Sequence, residues 1–287
     1  MVQNIEQLIQ AEEDGKSRTY TWRKAPTQSP TLGFWFDLSM SPGRPVPKYW
    51  FDAPPAVAKA VSYSADGGIE HGGAVSPAEK YLRSTTAMCD NTNGAPITLM
   101  LCDYLLYYPS IDDSNLDPQI MDNTVTLPRY TDGKGVQILA LSVAGRTGGA
   151  NFYVTYTNSD GVSGRTSQTV TQNSSAALGT VVNAATNTTP LGGGPFIGLQ
   201  NGDTGVRSID SVVMLTPDVG LFTLVLVKPL TTTVIREITA PVEKDYFLEA
   251  GIIPRIYDDA FLGLLCLPTT SLLSLATFRG DIKVVWV

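Results

Sequence analysis

Polar and hydrophobic residues alternate most regularly between Gly148 and Thr171. Phe152, Val154 and Tyr156 stand at every second position, so they share one face of an extended chain. A period of two indicates a β-strand with one buried face. Turn-forming residues at 158–161 and a return segment rich in Thr and Ser then predict a β-hairpin.

The length of the hairpin loop sets which residues face each other. A two-residue loop at 160–161 places Tyr156 opposite Arg165. The same loop places Val154 opposite Ser167. A loop one residue longer would turn one strand over relative to the other, so this register depends on the shorter loop.

Further segments with strand composition follow one another between turn signals. They cover residues 97–108, 136–143, 150–157, 162–171, 178–183, 195–200, 207–214, 221–228, 231–239 and 282–287, with a flexible Gly- and Asn-rich loop at 183–195. The first of these is an almost continuous apolar run, which predicts a strand buried on both faces, with a helix as the alternative. The spacing of the others is typical of an antiparallel sandwich. We therefore predict a mainly β fold, a jelly-roll or immunoglobulin-like β-sandwich with few short helices.

The N-terminal residues have a different character. Ile5, Leu8 and Ile9 have helical spacing, and they predict a short helix over residues 3–14. Residues 16–30 show mixed charge without apolar periodicity, so we interpret residues 1–28 as an extended arm ordered by contact with a partner, or otherwise as a loose end. Residues 29–287 then form one β-rich domain, with a smaller sandwich at about 131–240 as an alternative division.

Two shorter features belong to the first third of the chain. Ser76 followed by Pro77 matches the start of a helix, and it predicts one or two helical turns in the segment AEKYLRSTTAM. Aromatic residues at 34–36 and 49–51 flank a turn-rich loop. We expect two strands that pack on the core, and the alternative is an aromatic surface that binds a sugar or a peptide.

The charge and the apolar segments of the chain limit the classes of partner that it can bind. The chain has 287 residues, a net charge of −7 and no long run of Lys and Arg, so we expect no nucleic-acid partner. The apolar run at 260–276 is interrupted at 268–271 and is too short to span a bilayer, so we expect no membrane partner. The acidic N-terminus lacks the apolar core of a signal peptide, so we expect a protein that is made and used on the soluble side.

Candidate chemistry is sparse. His71 is the only histidine and lies between glycine pairs, so a structural role is favoured over a nucleophile–histidine site. Cys89, Cys102 and Cys266 show no metal-ligand spacing, and the last two lie in apolar runs typical of buried free thiols. We therefore predict no catalytic residue, no cofactor and no enzyme.

One acidic segment resembles the start of a calcium loop. Asp113, Asn115 and Asp117 alternate as oxygen ligands do, but Pro118 and Thr124 replace the expected glycine and glutamate. We favour a solvated turn, with calcium ligation by these three residues as the alternative. A glycan hydrolase that uses carboxylates of residues 111–132, such as Asp112, is a further and disfavoured alternative.

Several longer segments of the chain are informative when they are taken together. They are WFDLSMSPGRPVPKYWF (35–51), HGGAVSPAEKYLR (71–83), LCDYLLYYPSID (101–112), NTVTLPRYTDGKGVQ (123–137) and YTNSDGVSGRT (156–166), with YDDAFLGLLCLP (257–268) as a weaker match. These segments resemble a group of structural proteins from the virions of tailed bacteriophages. The resemblance implies a capsid decoration or cement protein on the exterior of the virion, made in the host cytoplasm. Its implied partners are the major capsid protein or other virion proteins and further copies of itself, as in a trimer.

Two other roles stay open beside this one. A host-recognition module would bind cell-surface glycans through its loops and exposed aromatic residues. The major shell protein itself is disfavoured, because the long charged helix and the size typical of that role are missing from the sequence.

Overall fold

The computed structural model describes residues 4–90, 95–174, 177–183, 194–250, 253–269, 272 and 274–287. In these residues the fold is mainly β, with strands in three antiparallel sheets. The helices are α1 (Ile5–Glu13), α2 (Tyr63–Asp66), a 3₁₀ turn (Leu38–Met40) and a π turn (Tyr246–Ala250). The mainly β prediction is confirmed, and the arrangement is consistent with a β-sandwich. Most of the loop predicted at 183–195 lies outside the described residues.

The strands range from two residues to 16 residues in length. They are β1 (Ser17–Lys24), β2 (Phe36–Asp37), β3 (Gly43–Arg44), β4 (Lys59–Ala60), β5 (Lys80–Cys89), β6 (Ile97–Asp112), β7 (Gln119–Ile120), β8 (Gln137–Ser142), β9 (Asn151–Asn158), β10 (Arg165–Thr166), β11 (Val170–Thr171), β12 (Val206–Met214), β13 (Leu221–Ile235), β14 (Val242–Asp245), β15 (Arg255–Ile256), β16 (Phe261–Pro268) and β17 (Phe278–Trp286).

We name the three sheets by position. The first sheet has the order β14-β5-β17-β1-β3, with β15 on β5. The second sheet has the order β10-β9-β12-β7, with β11 on β9. The central sheet has the order β2-β16-β6-β13-β8, with β4 on β6. No helix in the described part of the chain has the length and apolarity needed to cross a membrane.

The two long strands β6 and β13 organise the core. They pair from Ile97 opposite Ile235 to Asp112 opposite Leu221, and β-bulges interrupt the ladder. Residues at one end of β6 join a buried cluster with the first sheet, and residues at its other end join a cluster with the second sheet. A third cluster, which includes Trp50, also contains residues of the central sheet. The apolar run at 97–108 is therefore a strand buried on both faces, as predicted.

The register predicted for the hairpin is confirmed. Arg165 lies opposite Tyr156, and the Ser167 amide donates a 2.8 Å hydrogen bond to the Val154 carbonyl. The return segment pairs only at β10 and β11, so the strand predicted over 162–171 is broken. The segments at 178–183 and 195–200 contribute isolated bridges, and the strand predicted at 231–239 is largely the end of β13.

The interpretation of residues 1–28 as an arm needs correction for β1. This strand pairs with β17 along its whole length, so the chain itself orders the segment. Trp22 and Lys24 are buried on its inner side. The Lys24 ammonium lies 3.0 Å from the Ser41 carbonyl, and burial lowers its pKa to about 8. Because Lys24 is a charged residue on the buried face of β1, the sequence of this strand does not show a hydrophobic period of two. The helix α1 is present as predicted, and it buries Leu8 against the same sheet.

The helix predicted after Pro77 is wrong. Residues 80–89 form β5, which pairs with β17 and with β14. Thr85, Ala87 and Cys89 are buried, and the residues between them are half-buried. The local helix-start signal is overridden by tertiary packing, because the extended chain places Leu82, Ala87 and Cys89 in the buried cluster shared with the central sheet.

Candidate protein-binding surface

Two exposed aromatic side chains stand on either side of a buried one. Tyr49 and Phe51 are 46% and 45% exposed, whereas Trp50 between them is 0% exposed. Neighbouring side chains of an extended chain point in opposite directions, which explains the alternation. The exposed rings lie nearly parallel, with centroids 5.9 Å apart and 12° between their planes. We call Tyr49 and Phe51 the aromatic ledge.

Trp50 anchors the ledge to the central sheet. Its ring stacks on Tyr104 at 5.3 Å and meets the rings of Tyr107 and Phe261 edge-on at 5.5 and 5.7 Å. The Thr223 hydroxyl donates a 2.7 Å hydrogen bond to the Trp50 carbonyl. Offset-stacked and edge-to-face contacts are the favourable geometries for aromatic pairs, so both the ring and the backbone of Trp50 are fixed.

A buried carboxylate completes this anchor. Asp37 is 0% exposed and accepts hydrogen bonds from the Trp50 indole at 2.7 Å and the Tyr104 hydroxyl at 2.9 Å. The Ser39 amide and hydroxyl also donate to it, at 2.8 and 2.6 Å. Burial raises the pKa of Asp37, and the four donors counteract that shift. Sequence reasoning missed Asp37, because nothing in a lone aspartate beside aromatic residues shows that three other side chains converge on it.

Ion pairs hold the chain on both sides of the ledge. Lys48 lies 2.5 Å from Asp66, and Lys59 lies 2.7 Å from Asp52. The Tyr107 hydroxyl also donates to Asp52, at 2.9 Å. The hydrogen bond from Lys59 is the largest cause that lowers the pKa of Asp52 to about 2. The ledge therefore presents its two rings in a fixed position, which reduces the conformational entropy lost on binding.

The structure divides the aromatic residues of these segments between the core and the surface. Phe36 and Trp50 belong to the core, whereas Tyr49 and Phe51 face outward. The signal that separates them is the period of two in the sequence Tyr-Trp-Phe. The second predicted strand, however, is an extended segment without a ladder of its own.

His71 lies in the interior. Its Nε2 is 2.9 Å from the Ala260 carbonyl, so Nε2 carries the proton, and its Nδ1 accepts a 3.1 Å hydrogen bond from the Lys80 ammonium. Burial, followed by the nearby Lys80 charge, lowers the pKa of His71 to about 4. The ring is therefore neutral near pH 7, and both of its nitrogens have partners within the fold.

The structure does not bring the calcium candidates together. Asp113 is 0% exposed and accepts a 2.8 Å hydrogen bond from Gln172, with Arg146 at 3.6 Å. Asn115 and Asp117 are exposed, and the Asn115 side chain accepts a hydrogen bond from the Asp117 amide. Asp113, Asn115 and Asp117 therefore lie in a turn in which the Asp113 side chain is buried and the other two are exposed. Because Asp113 is enclosed, it also does not share an open site with Asp112.

The three cysteines are buried free thiols. Burial raises the pKa values of Cys102 and Cys266, which keeps them protonated. Within the described ranges, no group of three His, Cys, Asp or Glu side chains is placed to hold a metal ion.

Comparisons with known proteins add little to this geometry. No family model matches the chain, and no curated protein matches its sequence. Among solved structures, VP2 of infectious bursal disease virus in derived T=1 particles aligns over 94% of this chain and 78% of its own, with 11% identity and a TM-score of 0.18. The VP2 subviral particle of the same virus aligns over 94% and 80%, with 12% identity and a TM-score of 0.18. At these scores the alignments carry no structural argument.

Proposed function

We propose that this chain is a virion structural protein, a decoration or cement protein that binds the outside of an assembled phage head. The aromatic ledge is the observation that carries the proposal, together with the resemblance of residues 30–170 to phage virion proteins. Tyr and Phe are enriched in protein interfaces, where they bury large areas at a small entropic cost. In this account Tyr49 and Phe51 insert into the surface of the capsid subunits.

The ledge is large enough to contribute useful binding energy. A fully covered aromatic side chain buries about 150–250 Å². Covering the exposed half of both rings removes roughly 200 Å² from water, or about 5 kcal/mol before the costs of association are subtracted. Many copies on one lattice then stabilise the shell, because each contact forms at a high effective concentration.

The charge of the chain favours the exterior of the capsid. A net charge of −7 is repelled by packaged DNA, whose phosphates dominate the interior of a full head. Binding through apolar area needs no reaction, so this proposal assigns no catalytic residue.

A second candidate function is recognition of host glycans. The exposure of two neighbouring aromatic rings favours it, because sugars stack on aromatic faces as apolar surfaces do. The same two residues would then contact a saccharide in place of a capsid subunit. Antibodies that cover the ledge would block adsorption of the phage in this case only.

A binding experiment tests the leading proposal. Purified heads that lack this protein are mixed with the wild-type chain or with a Tyr49→Ala, Phe51→Ala double variant, and bound protein is measured after sedimentation. We expect the double variant to bind at least about 100-fold more weakly. An Ile120→Ala, Leu248→Ala variant is the control, because these side chains are 69% and 66% exposed and lie elsewhere in the sequence. Equal binding by the two double variants would remove the ledge from the proposal.

A further inference from the structure

Three arginines stand side by side on the outer face of the first sheet. Arg23 on β1 lies directly opposite Arg279 on β17, and on its other side directly opposite Arg44 on β3. Directly opposed residues on neighbouring strands project to the same face, about 5 Å apart. Like charges in these positions destabilise a sheet, so this row is unfavourable until an anion neutralises it. We call these three residues the arginine row.

Few acidic side chains of the chain itself neutralise the positive charge of the arginine row. In the described part of the chain, no carboxylate lies within 4.0 Å of Arg23 or Arg279, and Arg23 donates one 3.2 Å hydrogen bond to the Thr277 hydroxyl. Arg44 is paired with Glu70 at 3.1 Å. The row lines an open cleft of about 350 Å³. Guanidinium groups are therefore available to a ligand on a protein whose overall charge is negative.

Acidic side chains occupy the neighbouring part of the same face. Thr86 on β5 lies opposite Glu243 on β14 and opposite Asp281 on β17. Asp281 in turn lies opposite Thr21, two residues before Arg23 and thus on the same face. Asp281 accepts a 3.0 Å hydrogen bond from Thr86, and no cation lies within 4.0 Å of Glu243 among the described residues. The face is basic towards β3 and acidic towards β14.

A surface with both signs side by side is complementary to itself. We propose that the outer face of the first sheet binds a second copy of this chain about a two-fold axis. In this arrangement each arginine row faces Glu243 and Asp281 of the other copy. Two-fold contacts use the same patch on both subunits, which is the geometry that adjacent opposite charges permit. Arginine suits this role because its planar group binds carboxylates with two parallel hydrogen bonds.

The size of the face agrees with a weak, salt-sensitive pair. The five strands lie about 4.8 Å apart and range from two residues in β3 to ten in β5, which gives an area of at most roughly 500 Å² per copy, because α1 covers the end beside Val285. At most about 1,000 Å² in total is the size of a weak, transient interface. Exposed charges dominate this face, so the pairing weakens as salt screens them. Three arginines are fewer cations than sequence-independent DNA binding commonly uses, which favours a protein partner.

This inference goes beyond the proposed binding to a phage head, and it is tested on the isolated chain, so either can fail without the other. Sedimentation equilibrium of the full chain measures its mass at about 0.05 M and about 0.5 M NaCl. We expect a dimer at low salt whose dissociation constant rises at least about tenfold at high salt. A trimer, which the resemblance implies, would give a different mass and would overturn the two-fold arrangement.

Charge reversal then locates the interface. We expect an Arg23→Glu, Arg279→Glu variant and a Glu243→Arg, Asp281→Arg variant each to be monomeric, and an equimolar mixture of the two to form a dimer. An Arg18→Glu, Lys134→Glu variant has the same change in net charge as the first variant, and it should dimerise as the wild type does. Circular dichroism establishes that each variant is folded.

Besides a trimer, three further results would overturn the proposal: a monomeric wild type at low salt, a dimeric Arg23→Glu, Arg279→Glu variant, or a mixture that stays monomeric while its components are folded. Binding of a single-stranded DNA oligonucleotide that disappears in the same arginine variant would assign the row to polyphosphate instead.

Discussion

The indole nitrogen of Trp50 donates a 2.7 Å hydrogen bond to the carboxylate of Asp37, and both side chains are completely buried. This bond connects the segment that carries the aromatic ledge to β2 of the central sheet. A buried carboxylate is unfavourable unless donors surround it, so Asp37 requires Trp50 as much as Trp50 requires Asp37. The position of the aromatic ledge therefore depends on a polar contact beneath it.

Replacing Trp50 with Phe should destabilise the protein. The change removes one of the donors to Asp37 and leaves a gap beside Tyr104, so we expect a loss of about 2–4 kcal/mol in the free energy of unfolding. Urea denaturation followed by circular dichroism measures this loss. Tyr49→Phe removes only an exposed hydroxyl and should change stability by less than about 0.5 kcal/mol. If the two variants were equally stable, the anchor described here would be wrong.

Acid should destabilise the fold through His71. The pKa of this residue falls from 6.5 in the unfolded chain to about 4 in the folded protein, so between these values only the unfolded chain binds the proton. Stability is therefore complete above about pH 6.5, and it falls as the pH is lowered towards 4, by about 2–3 kcal/mol for this group. Urea denaturation at a series of pH values measures the slope.

A His71→Gln variant isolates this contribution. Burial raises the pKa of Asp103 to about 6, and that shift acts in the opposite sense, because the folded protein then binds the proton more readily. The difference between the wild-type and variant slopes removes the Asp103 effect, which is common to both. We expect a smaller decrease in stability on acidification in the variant, and identical slopes would contradict the buried, neutral state of His71.

Asp203 should be essential for the hairpin. Its carboxylate accepts hydrogen bonds from Tyr156 at 2.6 Å, Asn158 at 2.8 Å and Arg165 at 3.0 Å. Asp203→Ala leaves these donors without their acceptor, and we expect a loss of about 2–3 kcal/mol, with faster amide exchange in β9 and β12. Asp160→Ala makes the same change in the exposed turn and should lose less than about 0.5 kcal/mol. Similar losses in both variants would argue against this network.

Calcium should leave the melting temperature unchanged. Binding at a concentration of about 100 times the dissociation constant would add about 2.7 kcal/mol and raise the melting temperature by several degrees. Because Asp113 is enclosed beside Arg146 and apart from exposed Asp117, we expect no shift between calcium and EDTA in a thermal melt. A shift that Asp117→Asn abolishes would restore the calcium hypothesis.

The sequence predicts the parts of this fold that local patterns determine. The alternation at 152, 154 and 156 gives the strand β9. The predicted pairing of Tyr156 with Arg165 is present, but the chain reaches it through a turn closed by the Gly161 amide on the Asn158 carbonyl, and not through a two-residue loop at 160–161. The apolar run at 97–108 predicts β6, because a continuous apolar segment can be identified in the sequence without knowing which strands pair with it. In each case the period of the side chains carries the information.

Contacts between distant residues escape such patterns. The strand β5 exists because it pairs with β17, as Thr86 does with Asp281, which lies 195 residues further along the chain. A large separation along the chain likewise conceals the alignment of Arg23 with Arg279. Asp37 and Trp50 are 13 residues apart, but Tyr104, which also donates to Asp37, is 67 residues from it. The period of two in the sequence separates Trp50 from Tyr49 and Phe51, but only the fold decides which of these two sets is buried.

A reconstruction of the phage particle at side-chain resolution tests the central claim most directly. We predict density for this chain on the outer surface of the head, with the rings of Tyr49 and Phe51 buried against capsid subunits. Density in a tail fibre or inside the shell, or a chain on the head whose aromatic ledge faces solvent, would contradict the account.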